Sequence, residues 1–498
     1  MTTPYEKFIS AVKEVYALRS AQALLGWDQE TMMPAGAGEG RAHALSALSK
    51  IVQEKYCTPE MGELSQNLLE DNNLSLAQKS IVSEFKKDRD KLVKIPPTLV
   101  EEFAHTTSLA QQVWAEARPK NDKAAFNPWL GKIIDLLRQK AECLGYDGNP
   151  YDALLDEYEP GATSGEITVF LNDLKKETVP LLHNIMDSKV KADSSLLFQP
   201  FPVSVQKAFN NVILKEMTFS LDTGRLDVSA HPFTEGIWPS DVRITTRFSE
   251  TDVMSAIMGT IHEAGHGLYE QGFLPEYYGT PMAEAISLGV HESQSRLWEN
   301  HVGRGEAFWK HYFPEFQALF PTQLGTAGFD TFMLSLNSVQ PSLIRVEADE
   351  VTYNLHIILR FELERDLFAG NIKVEDIETV WNTKSEELLG ITPDCAGNGY
   401  MQDVHWSVGL MGYFPTYSIG NMYAAQLFHK VHQEIENLDE EISRRNFHPL
   451  REWLRAGIHQ HGRMYPAKKL IENATGEAPS ATYYIDYLKE KYSRLYKF

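Results

Sequence analysis

Two histidines four residues apart, with an acid next to the first, form the part of this chain best suited to hold a divalent cation: His262-Glu263-Ala264-Gly265-His266. On a helix, at about 100° per residue, His266 lies about 40° round the axis from His262 and one turn along, so both imidazoles reach one ion. Glu263 points about 60° beyond His266, poorly placed as a third ligand but well placed to touch a water held by the metal. Two neutral imidazoles, a carboxylate and an open coordination position are what hydrolytic zinc requires, with Glu263 as the base. The plainer alternative is a pair of hydrogen-bonded surface histidines. Gly265 and Gly267 weigh against it, because glycine inside a helix costs about 1 kcal/mol and marks the close approach of another backbone or a ligand.

The element that must carry these groups is the segment 249–271, SETDVMSAIMGTIHEAGHGLYEQ. Val253, Ile257, Ile261, Ala264 and Leu268 recur at helical spacing, Ser249 with Asp252 gives an N-terminal capping signal, and Gly272 gives a stop. The pattern predicts a buried helix with a polar notch. A second helical stretch, 282–302, contains Glu292, and the loop 272–281, rich in Gly, Pro and Tyr, is long enough to reverse the chain between them. Glu292 is the expected third ligand, completing the open two-histidine, one-glutamate arrangement used for peptide hydrolysis. His291 faces about 100° away and is expected to pack or hydrogen-bond behind the ligands.

Taken in order, several motifs resemble those of the M32 metallocarboxypeptidases, the carboxypeptidase Taq family. They are His231-Pro232-Phe233, Asp241-Val242-Arg243-Ile244-Thr245, the HEAGH pentapeptide, His291-Glu292-Ser293-Gln294, Ile344-Arg345-Val346-Glu347-Ala348-Asp349, and the segment from Gly399 through Gln402 and Asp403 to His405-Trp406. Trp27 to Thr31 and Tyr151 to Gly161 add to the likeness, which covers nearly the whole chain. The resemblance implies a mainly α, large helical gluzincin-type metallopeptidase with a deep substrate cleft. It also implies a broad-specificity carboxypeptidase, one Zn2+ per chain with Co2+ or Mn2+ as substitutes, and a homodimer. Spacing alone stops at metallopeptidase, so a zinc oligoendopeptidase of the same fold and an inactive peptide-binding protein stand as alternatives.

Arg345 is expected to clamp the free carboxylate of the substrate, since a guanidinium fork matches a carboxylate in two parallel hydrogen bonds; a salt bridge to Glu347 or Asp349 is the competing explanation. Arg243 is the second candidate for the clamp. The loop 399–406 is rich in the residues of binding loops, which makes Gln402 a substrate-contact candidate and His405 a donor to a developing oxyanion. Related gluzincin peptidases use a His and a Tyr in this way. Tyr417 is favoured over Tyr413 as the phenolic donor, the other being a substrate contact or a core residue.

The 498 residues, 43% of them hydrophobic and without a Pro/Gly/Ser-rich linker, suggest a single helical peptidase domain over 1–498. Within it, N-terminal helices form a wall or lid and 225–425 the catalytic core. Strand signal is confined to 241–248, paired with a run near 225–229 as a small β-hairpin or sheet beside the zinc helix, either propping that helix or receiving an extended peptide along an edge. The IRVEAD motif is expected inside a helix over 342–367. His459 and His461, two residues apart, diverge on a helix and read as structural, and the acidic pair Asp28 and Glu30 as a turn. A net charge of −21 argues against nucleic acid and anionic membrane partners, leaving a peptide as the expected substrate. Three scattered cysteines and no signal-like N-terminus point to the cytoplasm.

Overall fold

The 3.6-residue periodicity that dominates the sequence is realised as helices from Pro4–Thr31 to Thr482–Tyr496 in the computed structural model, which describes residues 3–498. The first helix starts at a capping box made by Thr3 and Glu6, with Pro4 in the first turn where a missing N–H costs nothing. It runs on through Gly26-Trp27 to Thr31. With the helices Gly38–Tyr56, Pro59–Glu70 and Leu76–Lys94 it closes over a small core in which Phe8 meets Phe85 edge-on and Tyr56 stacks on Phe85 at 4.3 Å. Met282 joins this small core from the remaining body, whose buried residues from Ala110 to Tyr496 form one continuous cluster.

Three strands lie beneath the metal-site helix, in the order β1 (Gly224–Val228), β3 (Asp241–Thr246), β2 (Thr234–Trp238). Central β3 puts Val242 and Ile244, both fully buried, against the body. The expected hairpin between 225–229 and 241–248 needs correction: β1 pairs with β3 in parallel, Leu226 opposite Ile244, and the hairpin is formed by β2 and β3. A glycine and a bulge between Gly236 and Trp238 broke the alternation by which β2 would have been recognised.

The helix Val253–Glu270 is buried on most of its circumference, Val253, Ile257, Ile261, Ala264 and Leu268 included. Its cap is Asp252, which accepts from the Ser255 N–H at 3.1 Å, while Ser249 is spent on the Thr251 N–H outside the helix. The second element is shorter than expected at its start: residues 281–283 form a 3-10 turn, the α-helix spans Leu288–Arg296, and the chain then widens into a π-helical segment, Leu297–Gly303. The motif around Arg345 departs further from expectation. Asp349 takes the N–H groups of Val351 and Thr352, so helix begins at Tyr353 and Arg345 sits in a single 3-10 turn within a loop.

Candidate metal centre

The helices Val253–Glu270 and Leu288–Arg296 touch where Gly265 has no side chain: a Cβ there would lie 2.7 Å from the Gln294 carbonyl oxygen. That close approach brings His262, His266 and Glu292 together, their potential ligand atoms all within 4.8 Å of one another. Oε2 of Glu292 is 3.4 Å from Nε2 of His266 and 3.8 Å from Nε2 of His262. Tetrahedral bonds of about 2.0–2.1 Å place ligand atoms about 3.3–3.4 Å apart, and the two separations from Glu292 to the histidines are close to that spacing. On its far side Glu292 packs against Gly420 of the helix Pro415–Glu434, where a Cβ would lie 2.6 Å from Cγ of Glu292.

The groups behind the ligands fix their orientation. Nδ1 of His262 meets Oε2 of Glu299 at 2.9 Å, leaving Nε2 for the cation. Arg296 donates to Glu292 at 2.6 Å and to Glu299 at 3.2 Å, tying both carboxylates to one guanidinium. Burial pushes Glu292 and Glu299 up, but Arg296 and the histidines outweigh it and hold both carboxyls well below the usual carboxylate range. Burial, with His291 adding to it, lowers His266 to about 3, the neutral state a ligand needs. His291 bonds to Glu270 at 2.9 Å and stacks on His266 at 4.4 Å between centroids, in the supporting position its angle suggested.

Glu263 is buried, and its Oε2 accepts from the Thr234 hydroxyl of β2 at 2.7 Å. Burial raises its pKa, with His262 and Thr234 only partly offsetting the effect. This is the direction that brings a carboxylate toward the working range of a general base.

The loop 399–406 folds back on Arg345. Asp403 accepts from Nε and Nη2 of Arg345 and from Arg360, so two buried guanidiniums share one carboxylate. A box of Phe414, Tyr417 and Tyr353 surrounds Arg345, with the Tyr417 centroid 5.4 Å from its Cζ. The partner of Arg345 is therefore Asp403 and neither Glu347 nor Asp349. Gln402 is turned inward, its amide nitrogen on the carbonyls of Leu343, Asn398 and Gly399 and its oxygen on the Arg345 N–H. The expected substrate contact of Gln402 gives way to shaping the loop. Arg243 likewise makes a two-pronged pair with Asp241 at 2.9 Å and stacks on Trp27 at 4.3 Å, which ties the first helix to the sheet in place of clamping a ligand. The turn expected at Asp28 and Glu30 needs correction: both lie within the first helix, where Asp28 pairs with Arg41.

His405 is half-buried beside Phe414, and loss of solvent around it, with Arg345, lowers it to about 4; its Nδ1 has no hydrogen-bond partner among the described residues. Tyr413 and Tyr417 meet at 5.4 Å, and both phenols are raised by burial, with the charge of Glu292 adding to the rise. Both belong to the same corner as the ligand set. His459 lies in a 3-10 turn, bonded to Gln294 at 2.9 Å, and braces the glutamate-bearing helix as a structural residue.

Glu299, Arg296, Arg360 and Thr234 were not singled out from the sequence. Glu292, Arg296 and Glu299 recur at i, i+4 and i+7, one helical face, which is a signal that could have found two of them. Arg360 and Thr234 reach the site only through the tertiary fold.

The family described as carboxypeptidase Taq (M32) metallopeptidase matches residues 7–492. Among curated proteins the chain is 43% identical to a thermostable carboxypeptidase 1 of Thermus thermophilus and 40% identical to carboxypeptidase 1 of Bacillus subtilis, in each case over 99% of both chains. Among solved structures it resembles the M32 carboxypeptidase of Deinococcus radiodurans, with a TM-score of 0.97 and 37% identity over 100% of both chains.

Proposed function

The chain belongs to the carboxypeptidase Taq (M32) metallopeptidase family, and from that premise we propose that it is a zinc carboxypeptidase removing C-terminal residues from peptides with broad specificity. The ligands in this reading are His262, His266 and Glu292. Zinc held there would lower the pKa of a bound water toward neutrality and polarise the scissile carbonyl, and Co2+ or Mn2+ would substitute.

The observation that carries the carboxypeptidase reading is the charge around Arg345. Arg345 and Arg360 share the single carboxylate of Asp403 inside aromatic walls, which leaves one positive charge uncompensated. Three of the five N–H groups of Arg345 are spent on Asp403 and Tyr353, leaving two for a substrate's terminal carboxylate. In this reading Asp403 and Gln402 position Arg345.

Glu263 takes a proton from the attacking water and returns it to the leaving amine nitrogen as the C–N bond breaks. Thr234 holds the Glu263 carboxylate by its Oε2, leaving Oε1 for that exchange. Neutral His405 and protonated Tyr417, with the Tyr413 ring 5.4 Å from that of Tyr417, supply donors for the carbonyl oxygen as its charge grows. β2 is an edge strand whose Thr234 touches the base, so an extended peptide added along that edge would be held by main-chain bonds without reading its side chains. Three free cysteines suit the reducing cytoplasm, and the N-terminal helices are read as a wall or lid of the cleft.

The test compares a peptide with its C-terminally amidated form. Loss of a charge-assisted contact worth about 1.5–3 kcal/mol lowers kcat/KM of the amide by about tenfold to a hundredfold. Equal rates, or internal cleavage of both, would establish the oligoendopeptidase instead.

A further inference from the structure

At the C-terminal end of the metal-site helix lies a small pocket of about 210 Å³, bounded by Leu268 and Gly272, by the chain that leads into β1, and by Arg451, Arg455 and His459. No aspartate or glutamate is among its described lining residues, in a chain whose net charge is −21. Arg451 and Arg455 stand one turn apart on the helix His448–Gly457, with the single carboxylate of Glu452 between them. Arg451 takes that carboxylate, donating from Nε at 3.0 Å and from Nη2 at 2.6 Å. Arg455 comes within only 3.7 Å of it and makes no hydrogen bond among the described residues, so one positive charge faces the pocket uncompensated. The side-chain hydroxyls of Ser220 and Thr223, also in the lining, are likewise unused among the described residues.

His459 is the buried wall of the pocket, 1% exposed, and its neighbours fix where its proton sits. Ser293 gives its hydroxyl proton to the Val290 carbonyl at 2.6 Å, so its oxygen accepts from Nε2 of Gln294 at 2.9 Å. That turns Oε1 of Gln294 toward Nε2 of His459 at 2.9 Å. An amide oxygen only accepts, so Nε2 carries the ring proton and Nδ1 a lone pair. Burial, with Arg455 and Arg451 adding to it, lowers His459 to about 3 and keeps the ring neutral. Nδ1 has no hydrogen-bond partner among the described residues, and a Cβ at position 272 would lie 2.6 Å from it, a space that glycine leaves open.

A ligand that satisfies this pocket brings negative charge to Arg455, acceptor oxygens to the guanidinium and the two hydroxyls, and one proton of its own for Nδ1. Inorganic phosphate has all three, since near neutral pH every such ion keeps a P–OH. Sulfate has the charge and the oxygens but no O–H, and a phosphate monoester loses its last one above a second pKa of about 6. An amino acid has protons to give, but sets an ammonium among guanidiniums. We propose that this pocket is a binding site for hydrogenphosphate, with Arg455, Ser220 and Thr223 donating to its oxygens and its hydroxyl donating to Nδ1 of His459. The same imidazole braces Gln294, two residues beyond Glu292, so phosphate bound there stabilises the folded chain by mass action.

Titration calorimetry of the intact, zinc-loaded chain with sodium phosphate, sodium sulfate and methyl phosphate, at about pH 7.5 and matched ionic strength, tests the proposal. Phosphate binds one to one, and sulfate and methyl phosphate each at least tenfold more weakly. Arg455→Met weakens phosphate at least tenfold and Thr223→Val severalfold, while peptide hydrolysis without added phosphate stays as in the parent. Saturating phosphate raises the Tm of the parent and leaves that of Arg455→Met where it was. Sulfate binding as tightly as phosphate overturns the donation to His459, and methyl phosphate binding as tightly overturns inorganic phosphate as the occupant. Phosphate held elsewhere, on the zinc included, keeps its affinity in both variants, and that result overturns the site. Peptide hydrolysis plays no part in the binding measurements, so a failure of the enzymatic reading shows itself separately, in the comparison of free and amidated peptides.

Discussion

Glu299 is the group through which the metal centre is predicted to be most sensitive to a change that touches no ligand. It is buried, and one carboxylate receives His262 at 2.9 Å, Arg296 at 3.2 Å and Arg304 at 3.4 Å. Glu299→Gln keeps the volume and one acceptor for His262, but turns an amide NH2 toward a guanidinium. Supporting carboxylates of this kind contribute about tenfold to a hundredfold in metal affinity, or about 1.4–2.8 kcal/mol. The glutamine variant should lose about tenfold and Glu299→Ala about a hundredfold. The alanine variant also leaves Arg304, whose side chain is only partly exposed, without its carboxylate, so its Tm should fall as well. The assay is zinc competition against a chromophoric chelator on metal-free protein, followed by hydrolysis at saturating zinc, which should restore most of the activity of the glutamine variant. Zinc affinity unchanged in both variants would refute the claim that Glu299 orients His262.

Glu263→Gln should retain zinc and lower kcat by about 10²–10⁴ with little change in KM, as measured by metal content and steady-state kinetics. Arg345→Met should raise KM for peptides with a free C-terminus by about tenfold to a hundredfold and erase the difference between free and amidated substrates. Burial lowers His301, His356 and His459 each to about 3, so the unfolded chain, titrating near 6.5, binds more protons than the folded one in acid. Stability is therefore lost as pH falls below about 6.5, by about 2 kcal/mol per histidine by about pH 5, and Tm between pH 7 and 5 should fall accordingly, less steeply in His459→Gln. Gly265→Ala forces the two metal-bearing helices apart at the Gln294 carbonyl and should cost about 1–3 kcal/mol in chemical denaturation, with weaker zinc binding.

What could be read from the sequence depended on how local the signal was. The histidine pair follows from one helical period, and Glu292 from the length of the connecting loop, so the grouping of these three side chains was within reach of pattern alone. The two glycines flagged for close approach are explained by Gln294 and Phe219, the atoms a Cβ would strike. The helix expected around Arg345 failed because Asp349, which looked like a possible ion-pair partner, caps the next helix from outside it. Parallel pairing of β1 with β3 is a long-range choice that alternation does not encode. Asp403 stood in a quoted motif, yet its role came into view only with Arg360, forty-three residues away, on its other oxygen. Glu299 shows the boundary most clearly: its spacing from Glu292 was visible, and its partner was not.

The central claim is that two imidazoles and one carboxylate from neighbouring helices close on one ion. Anomalous diffraction at the zinc edge, from crystals of the zinc-loaded chain, tests it most directly. A single strong peak about 2.0–2.2 Å from Nε2 of His262, Nε2 of His266 and a carboxylate oxygen of Glu292 is the predicted result. A peak elsewhere, or Glu292 turned away from an ion held by other groups, would contradict it.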